Sequence, residues 1–141
     1  MQSSPKENIL VTNSDLRNLA EIRDFVYNYA FSNSDDKEFA TQVSLAVDEV
    51  CSNLIKYAYK LNTRNLIEVK IQFIDNSIKI EILDNGENFN ILEYQSPSLE
   101  DYYSNYMRNG LGITIVKSVI DEISYTAKDS YNSLTLIKYR K

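Results

Sequence analysis

Apolar positions along the chain follow two spacings. In "NILVTN" (8–13) they alternate weakly, which predicts a short first strand. From Leu16 the spacing changes: Leu16, Leu19, Ile22, Val26 and Tyr29 recur every three or four residues, so a helix is expected through about Phe31, with Ser14 or Asp15 as its N-cap. "SNSDD" (32–36) reads as a turn. The next helical run, from about Lys37 to Leu61, lines up Val43, Val47, Val50, Cys51, Leu54 and Ala58 on one face and is the longest helix expected.

Period two returns in "LIEVKIQFIDNSIKIEILDNG". Ile67, Val69, Ile71 and Phe73 alternate, then Ile78, Ile80 and Ile82, with Asp75 and Asn76 supplying the turn of a hairpin. Between Glu87 and Asn109 no apolar period is sustained, and a run this long without a pattern reads as a loop of the kind that carries function. "LGITIVKSVIDEI" predicts a helix opening at a double-glycine turn, and "ISYTAK" with "SLTLIKY" predicts a closing hairpin. Sequential hairpins give a mixed, mostly antiparallel sheet. Three helices can cover one face of it, so the expected class is an α+β two-layer sandwich formed as one domain over residues 1–141.

Bulk properties narrow the chemistry. The net charge is −5 and no Lys/Arg cluster occurs, which argues against a nucleic-acid footprint. There is no His and a single Cys, Cys51, so imidazole-based catalysis, a thiolate zinc site and an internal disulfide are all excluded. No apolar run approaches the roughly 20 residues that span a bilayer, and the first residues lack a signal pattern, so a cytoplasmic protein without membrane contact is expected. Any chemistry must use carboxylates, amides, hydroxyls, Lys or Arg.

Three short motifs then stand out. "DEVCSNLIKYAY" (48–59) puts Glu49, Asn53 and Tyr57 four apart, a slanted polar row beside the buried stripe of a helix. By itself such a row is the ordinary flank of an amphipathic helix. "DNGENF" (84–89) stands where a strand ends; it is a common turn, or a carboxylate able to accept from a base amino group beside a glycine that admits a flat ring. "RNGLGITIV" (108–116) brings two of the chain's three glycines to a helix start, where free N–H groups favour anions; it matches neither the Walker loop nor the dinucleotide fingerprint.

The order and spacing of the three, E-x-x-x-N, D-x-G-x-x-F and G-x-G, resemble the histidine-kinase-like (GHKL) ATPases. The short length, "YAY" after the Asn and "GLGITIVKSVIDEISY" look most like the bacterial anti-sigma-factor serine-protein kinases, over about Asn8 to Lys138. That resemblance implies a general base at Glu49, a magnesium ligand at Asn53, an adenine acceptor at Asp84 with Gly86 and Phe89 beside the nucleotide, and phosphate-facing amides at Gly110, Leu111 and Gly112. Residues 87–109 would be the lid. Arg108 would add positive charge at the phosphates, Ser133 would be a nucleotide contact on the last strand, and Arg23 a contact for partner proteins. The cofactors implied are ATP and Mg2+. The implied partners are a STAS-type anti-anti-sigma protein, a sigma factor and a second copy in a homodimer.

Two positions depart from the family pattern. Tyr57 stands where His is frequent, and "NSL" (132–134) where a Gly-Thr-Thr segment is usual. The tyrosines of the loop, Tyr94, Tyr102, Tyr103 and Tyr106, are not accounted for by the resemblance and suit a partner-binding surface. Two other functions remain compatible with the motifs: a regulatory module that holds ATP without using it, and a switch ATPase with no protein acceptor.

Overall fold

The computed structural model describes residues 8–59, 62–85, 116–127 and 130–140, without the side chains of Tyr57 and Ala58. Strand β1 (Asn8–Asn13) leads through a 3-10 turn (Leu16–Asn18) to helices α1 (Leu19–Ser34) and α2 (Lys37–Asn53). A π-turn (Leu54–Ala58) extends α2, and strands β2 (Leu66–Ile74) and β3 (Ser77–Asp84) follow. After a helical segment at 116–119, β4 (Glu122–Ala127) and β5 (Asn132–Tyr139) end the sheet.

The sheet order is β1-β2-β3-β5-β4 and each of its pairings is antiparallel, in keeping with the expected two-layer sandwich. Alternation sorts the two faces. Ile67, Val69 and Ile71 of β2, Ile78, Ile80 and Ile82 of β3, and Leu134 and Leu136 of β5 are buried and share one core with α1 and α2. The intervening Glu68, Lys70, Gln72, Lys79 and Glu81 are left partly or fully exposed. The β2–β3 hairpin turns on Asp75 and Asn76, at φ 52° and 62°; Asp and Asn tolerate this left-handed region, and the two-residue loop matches the right-handed strand twist.

Several expected boundaries move, each for a local reason. Asp15, rather than Ser14, caps the first helical turn by accepting from the N–H of Arg17 at 2.9 Å; that turn is 3-10, so Leu16 is exposed and the buried stripe is Ile22, Val26 and Ala30. α1 runs on to Ser34, where Asp35 adopts a left-handed cap, so the turn expected at 32–36 shrinks to two residues. Asp36 then caps α2 by accepting from the N–H of Phe39 at 3.0 Å. The helix expected to reach Ile123 stops at Val119. The N–H of Ile120 makes its last bond, to Val116, and the N–H of Asp121 already bonds the carbonyl of Ile137, giving Glu122 and Ile123 to β4.

The largest departure is in α2. α-Helical bonding ends at Asn53 instead of continuing toward Leu61; Lys60 and Leu61 lie outside the described residues. Beyond Asn53 the N–H of Tyr59 bonds the carbonyl of Leu54 at 2.8 Å, five residues back. One extra residue in a turn rotates everything after it, and Tyr59 enters the core.

Burial of the sheet's isoleucines sets the scale of stability. Ile80 is enclosed on the helix-facing row, and Ile80→Ala is expected to cost about 2–5 kcal/mol, read as a lowered midpoint in urea unfolding with an unchanged slope.

Candidate nucleotide site

Helix α2 and the end of β3 supply the described part of the site. Glu49 is half-buried, one residue past an ion pair in which Arg23 Nη1 lies 3.0 Å from Asp48 Oδ1. Burial pushes the Glu49 carboxyl above the usual glutamate range, and the neighbouring charge of Asp48 pushes the same way; Lys56 pulls it down with smaller effect. Arg23 remains 45% exposed, so its pair with Asp48 adds little to stability.

One turn on, Asn53 is almost wholly enclosed, and its Nδ2 donates to the carbonyl of Glu49 at 2.8 Å. That bond commits the NH2 end of the amide to the helix and leaves its oxygen as the end suited to a hard cation. Cys51 lies between them, fully buried; burial drives its thiol far upward, with the charges of Asp48 and Asp84 adding, so it is not a nucleophile.

Asp84 continues the row Ile78, Ile80, Ile82 into the core and is 6% exposed. A carboxylate there requires donors. Asn132, its directly paired neighbour on β5, donates from Nδ2 to Asp84 Oδ1 at 3.1 Å. Ser133 is the next residue and therefore points to the other face, where its hydroxyl donates to Glu81 Oε2 at 2.7 Å. The structure thus brings Glu49, Asn53 and Asp84 to one side of the sheet and leaves Ser133 on the opposite one, with Asn132 in the position expected of it.

Tyr59 joins the two halves. Its phenol lies 2.7 Å from the carbonyl of Leu66 and 2.9 Å from Asn85 Oδ1, and it accepts from the N–H of Asn85 at 2.9 Å. Neither Asn132 nor Tyr59 was singled out from the sequence: the first needs the β3–β5 register, the second the π-turn. Gly86, Phe89, Arg108, Gly110, Leu111, Gly112, the 87–109 loop with its tyrosines and the side chain of Tyr57 lie outside the described residues. A cleft of about 540 Å³, bordered by Phe25, Tyr29 and Phe73, is elsewhere and includes none of these polar groups.

A helix edge with a raised carboxyl and an enclosed amide thus stands on the same side of the sheet as a strand that ends in a buried carboxylate. Residues 12–138 match the histidine kinase-like ATPase domain family, and the chain belongs to that family. Within it the chain stands among the serine-protein kinases. It is 34% identical over 122 residues to the serine-protein kinase RsbW of Staphylococcus epidermidis, covering 82% of this chain and 74% of that one, and 31% identical over 121 residues to RsbW of Staphylococcus aureus, with the same coverage.

Solved structures agree on the fold. The RsbU and RsbW domains of a Mycobacterium tuberculosis protein superpose with a TM-score of 0.68 at 11% identity, over 98% of this chain and 33% of that longer one. A chain of the SiaB-SiaC complex from Pseudomonas aeruginosa superposes with a TM-score of 0.64 at 16% identity, over 92% of this chain and 88% of that one.

If Asp84 accepts the base amino group, Asp84→Asn replaces one acceptor oxygen by a donor. ATP affinity measured by calorimetry is then expected to fall about tenfold or more, with wild-type affinity in the variant ruling out the adenine assignment.

Proposed function

We propose that the chain transfers the γ-phosphoryl group of ATP to a serine of a STAS-type anti-anti-sigma protein, and that it sequesters a sigma factor when that partner is unavailable. The observation that carries this reading is the pairing, on one turn of α2, of a carboxyl held above its ordinary range with an enclosed, oriented amide. Adenine binding alone would need only the Asp84 end.

Glu49 takes the proton from the attacking serine hydroxyl; its half-buried position raises its basicity while leaving it reachable. Asp84, oriented by Asn132, accepts from the adenine amino group. Asn53 is the residue that would hold Mg2+ through its side-chain oxygen. Among the described residues no group of three or more His, Cys, Asp or Glu could hold a metal unaided, which suits an ion shared with the triphosphate. Bound there, Mg2+ supplies charge neutralisation for phosphoryl transfer. Gly110, Leu111 and Gly112 provide amides for the phosphates and Arg108 a further positive charge, while Gly86 and Phe89 border the base.

The exposed part of Arg23 is assigned to the partner protein, since it stands at the surface paired with Asp48, the residue before Glu49. The relatives named serine-protein kinase RsbW support a protein acceptor. No described helix is long and apolar enough to cross a membrane. Action in the cytoplasm, as a homodimer, belongs to the same proposal.

Incubation with labelled ATP, magnesium and a STAS protein tests the reading: label on a partner serine is expected. Label retained only as bound ATP would overturn it in favour of a binding module, and free phosphate alone in favour of a switch ATPase. Glu49→Gln is expected to keep nucleotide bound while transfer drops by about 10² or more, and unimpaired transfer in that variant removes the base assignment.

The pH dependence follows from the direction of the Glu49 shift. The base works ionised and its proton affinity is raised, so transfer is lost as pH falls through a value above the roughly 4.3 of a free glutamate. A rate profile whose acid limb lies at or below that value would show that another group limits the step.

A further inference from the structure

Tyr59 takes no part in the chemistry just described, yet its phenol is the described contact that fastens the helix end to the strand end. It is 4% exposed, and among the described residues three polar groups lie within hydrogen-bond distance of its phenol: the carbonyl of Leu66 at the start of β2, and the N–H and Oδ1 of Asn85, the residue after Asp84. A phenol has one hydrogen to give and an oxygen that accepts, so the N–H of Asn85 donates to it while its own hydrogen serves the Leu66 carbonyl or Asn85 Oδ1. Leu66 precedes Ile67, the β2 partner of Asp84. The phenol therefore touches both strands that frame Asp84.

The other end of the linkage is equally defined. Tyr59 closes the π-turn that begins directly after Asn53, through its own N–H on the carbonyl of Leu54. Its ring is anchored in the core. A rigid aromatic side chain thus spans from the end of the Glu49–Asn53 helix to the strand end that carries Asp84. An ordinary α-helical turn would not bring it there, which gives the π-turn a purpose: it rotates Tyr59 inward.

We propose that Tyr59 is a positioning residue that sets the spacing between the adenine subsite at Asp84 and the magnesium-phosphate subsite at Asn53. This rests on the assignment of ATP to that site. A ligand that occupies one end only moves with that end and feels little of the spacing, whereas ATP spans both and feels it fully. Removing the hydroxyl hence penalises the spanning ligand selectively.

The test compares ATP with adenosine on wild-type protein and on Tyr59→Phe, which keeps the ring and deletes only the hydroxyl. ATP affinity, measured with magnesium, is expected to fall about tenfold, the effect of roughly one well-formed buried hydrogen bond. Adenosine affinity is expected to stay within about threefold, and transfer to the partner is expected to show a raised KM for ATP with kcat held within about threefold. Asn85→Ala removes one acceptor but keeps the backbone N–H, so a smaller selective loss of ATP affinity is expected there, in a variant that leaves Tyr59 itself intact.

Equal losses for ATP and adenosine in Tyr59→Phe would overturn the spacing role in favour of a local one at the base. Undiminished ATP affinity would remove any role for the hydroxyl in binding. Wild-type protein that binds neither ligand would instead overturn the ATP assignment itself, a result separable from the other two because it appears before any substitution is made.

Discussion

The arrangement of the site depends on one costly placement, a carboxylate at the end of an apolar row. Asp84 follows Ile78, Ile80 and Ile82 on the helix-facing side of β3 and is buried with them. Taking a charge out of water costs several kcal/mol unless donors converge on it. The partner strand meets part of that demand with the amide of Asn132, at the directly opposite position. This requirement fixes which residue of β5 can matter to the site: a shift of one position turns every side chain to the other face, and Ser133, one residue on, indeed serves Glu81 instead. The register of two strands that are distant in sequence is thus a condition of the site, and the eight paired residues of β3 and β5, with their isoleucine and leucine core, hold it.

A second condition is the interruption of α2. Continued as an α-helix, the segment would carry the apolar stripe from Leu54 to Ala58. The π-turn closes on Tyr59 and buries an aromatic ring with a polar tip. A buried phenol needs a partner, and the polar atoms it finds belong to Leu66 and Asn85. Local helix irregularity and long-range polar contact are therefore two sides of one feature. The chain gains a fixed relation between helix end and strand end that apolar packing, which is not directional, would not specify as narrowly.

Much of this was legible in the sequence. Period-two alternation located β2, β3 and their Asp75–Asn76 turn because each strand buries one face only, and the Val43–Val47–Val50–Cys51 stripe located α2 for the same reason. Glu49, Asn53 and Asp84 were found as members of spaced motifs, and the structure places them on one side of the sheet. Boundaries were less legible, since helix ends follow from caps and competing bonds, as at Asp35 and Asp121. Asn132 and Tyr59 were not legible as site residues. The register that places Asn132 joins strands separated by 47 residues of intervening chain, from Asp84 to Asn132; local spacing carries no signal of it. The π-turn adds one residue to a pattern whose ordinary continuation was equally acceptable.

Along α2 the environment changes steeply within five residues, and the gradient separates groups that can react from groups that cannot. Cys51 is fully enclosed, and the same burial that would protect a nucleophile from solvent makes its ionised form inaccessible. Asn53, equally enclosed, keeps its use because an amide carries no charge to be suppressed. Glu49 lies between these extremes. Full burial would hold its carboxyl protonated, and full exposure would leave it a weak base with a value near 4.3, about three units below neutrality. Half-burial beside Asp48 raises it while solvent still reaches it, and the nearby Lys56 limits the rise. The Arg23 ion pair belongs to this balance: it holds Asp48 in place at 3.0 Å, but at a partly exposed position where screening keeps the pair from cancelling the influence of Asp48 on its neighbour. The edge of the buried stripe is consequently where this helix holds a carboxyl raised above its ordinary range yet within reach of solvent.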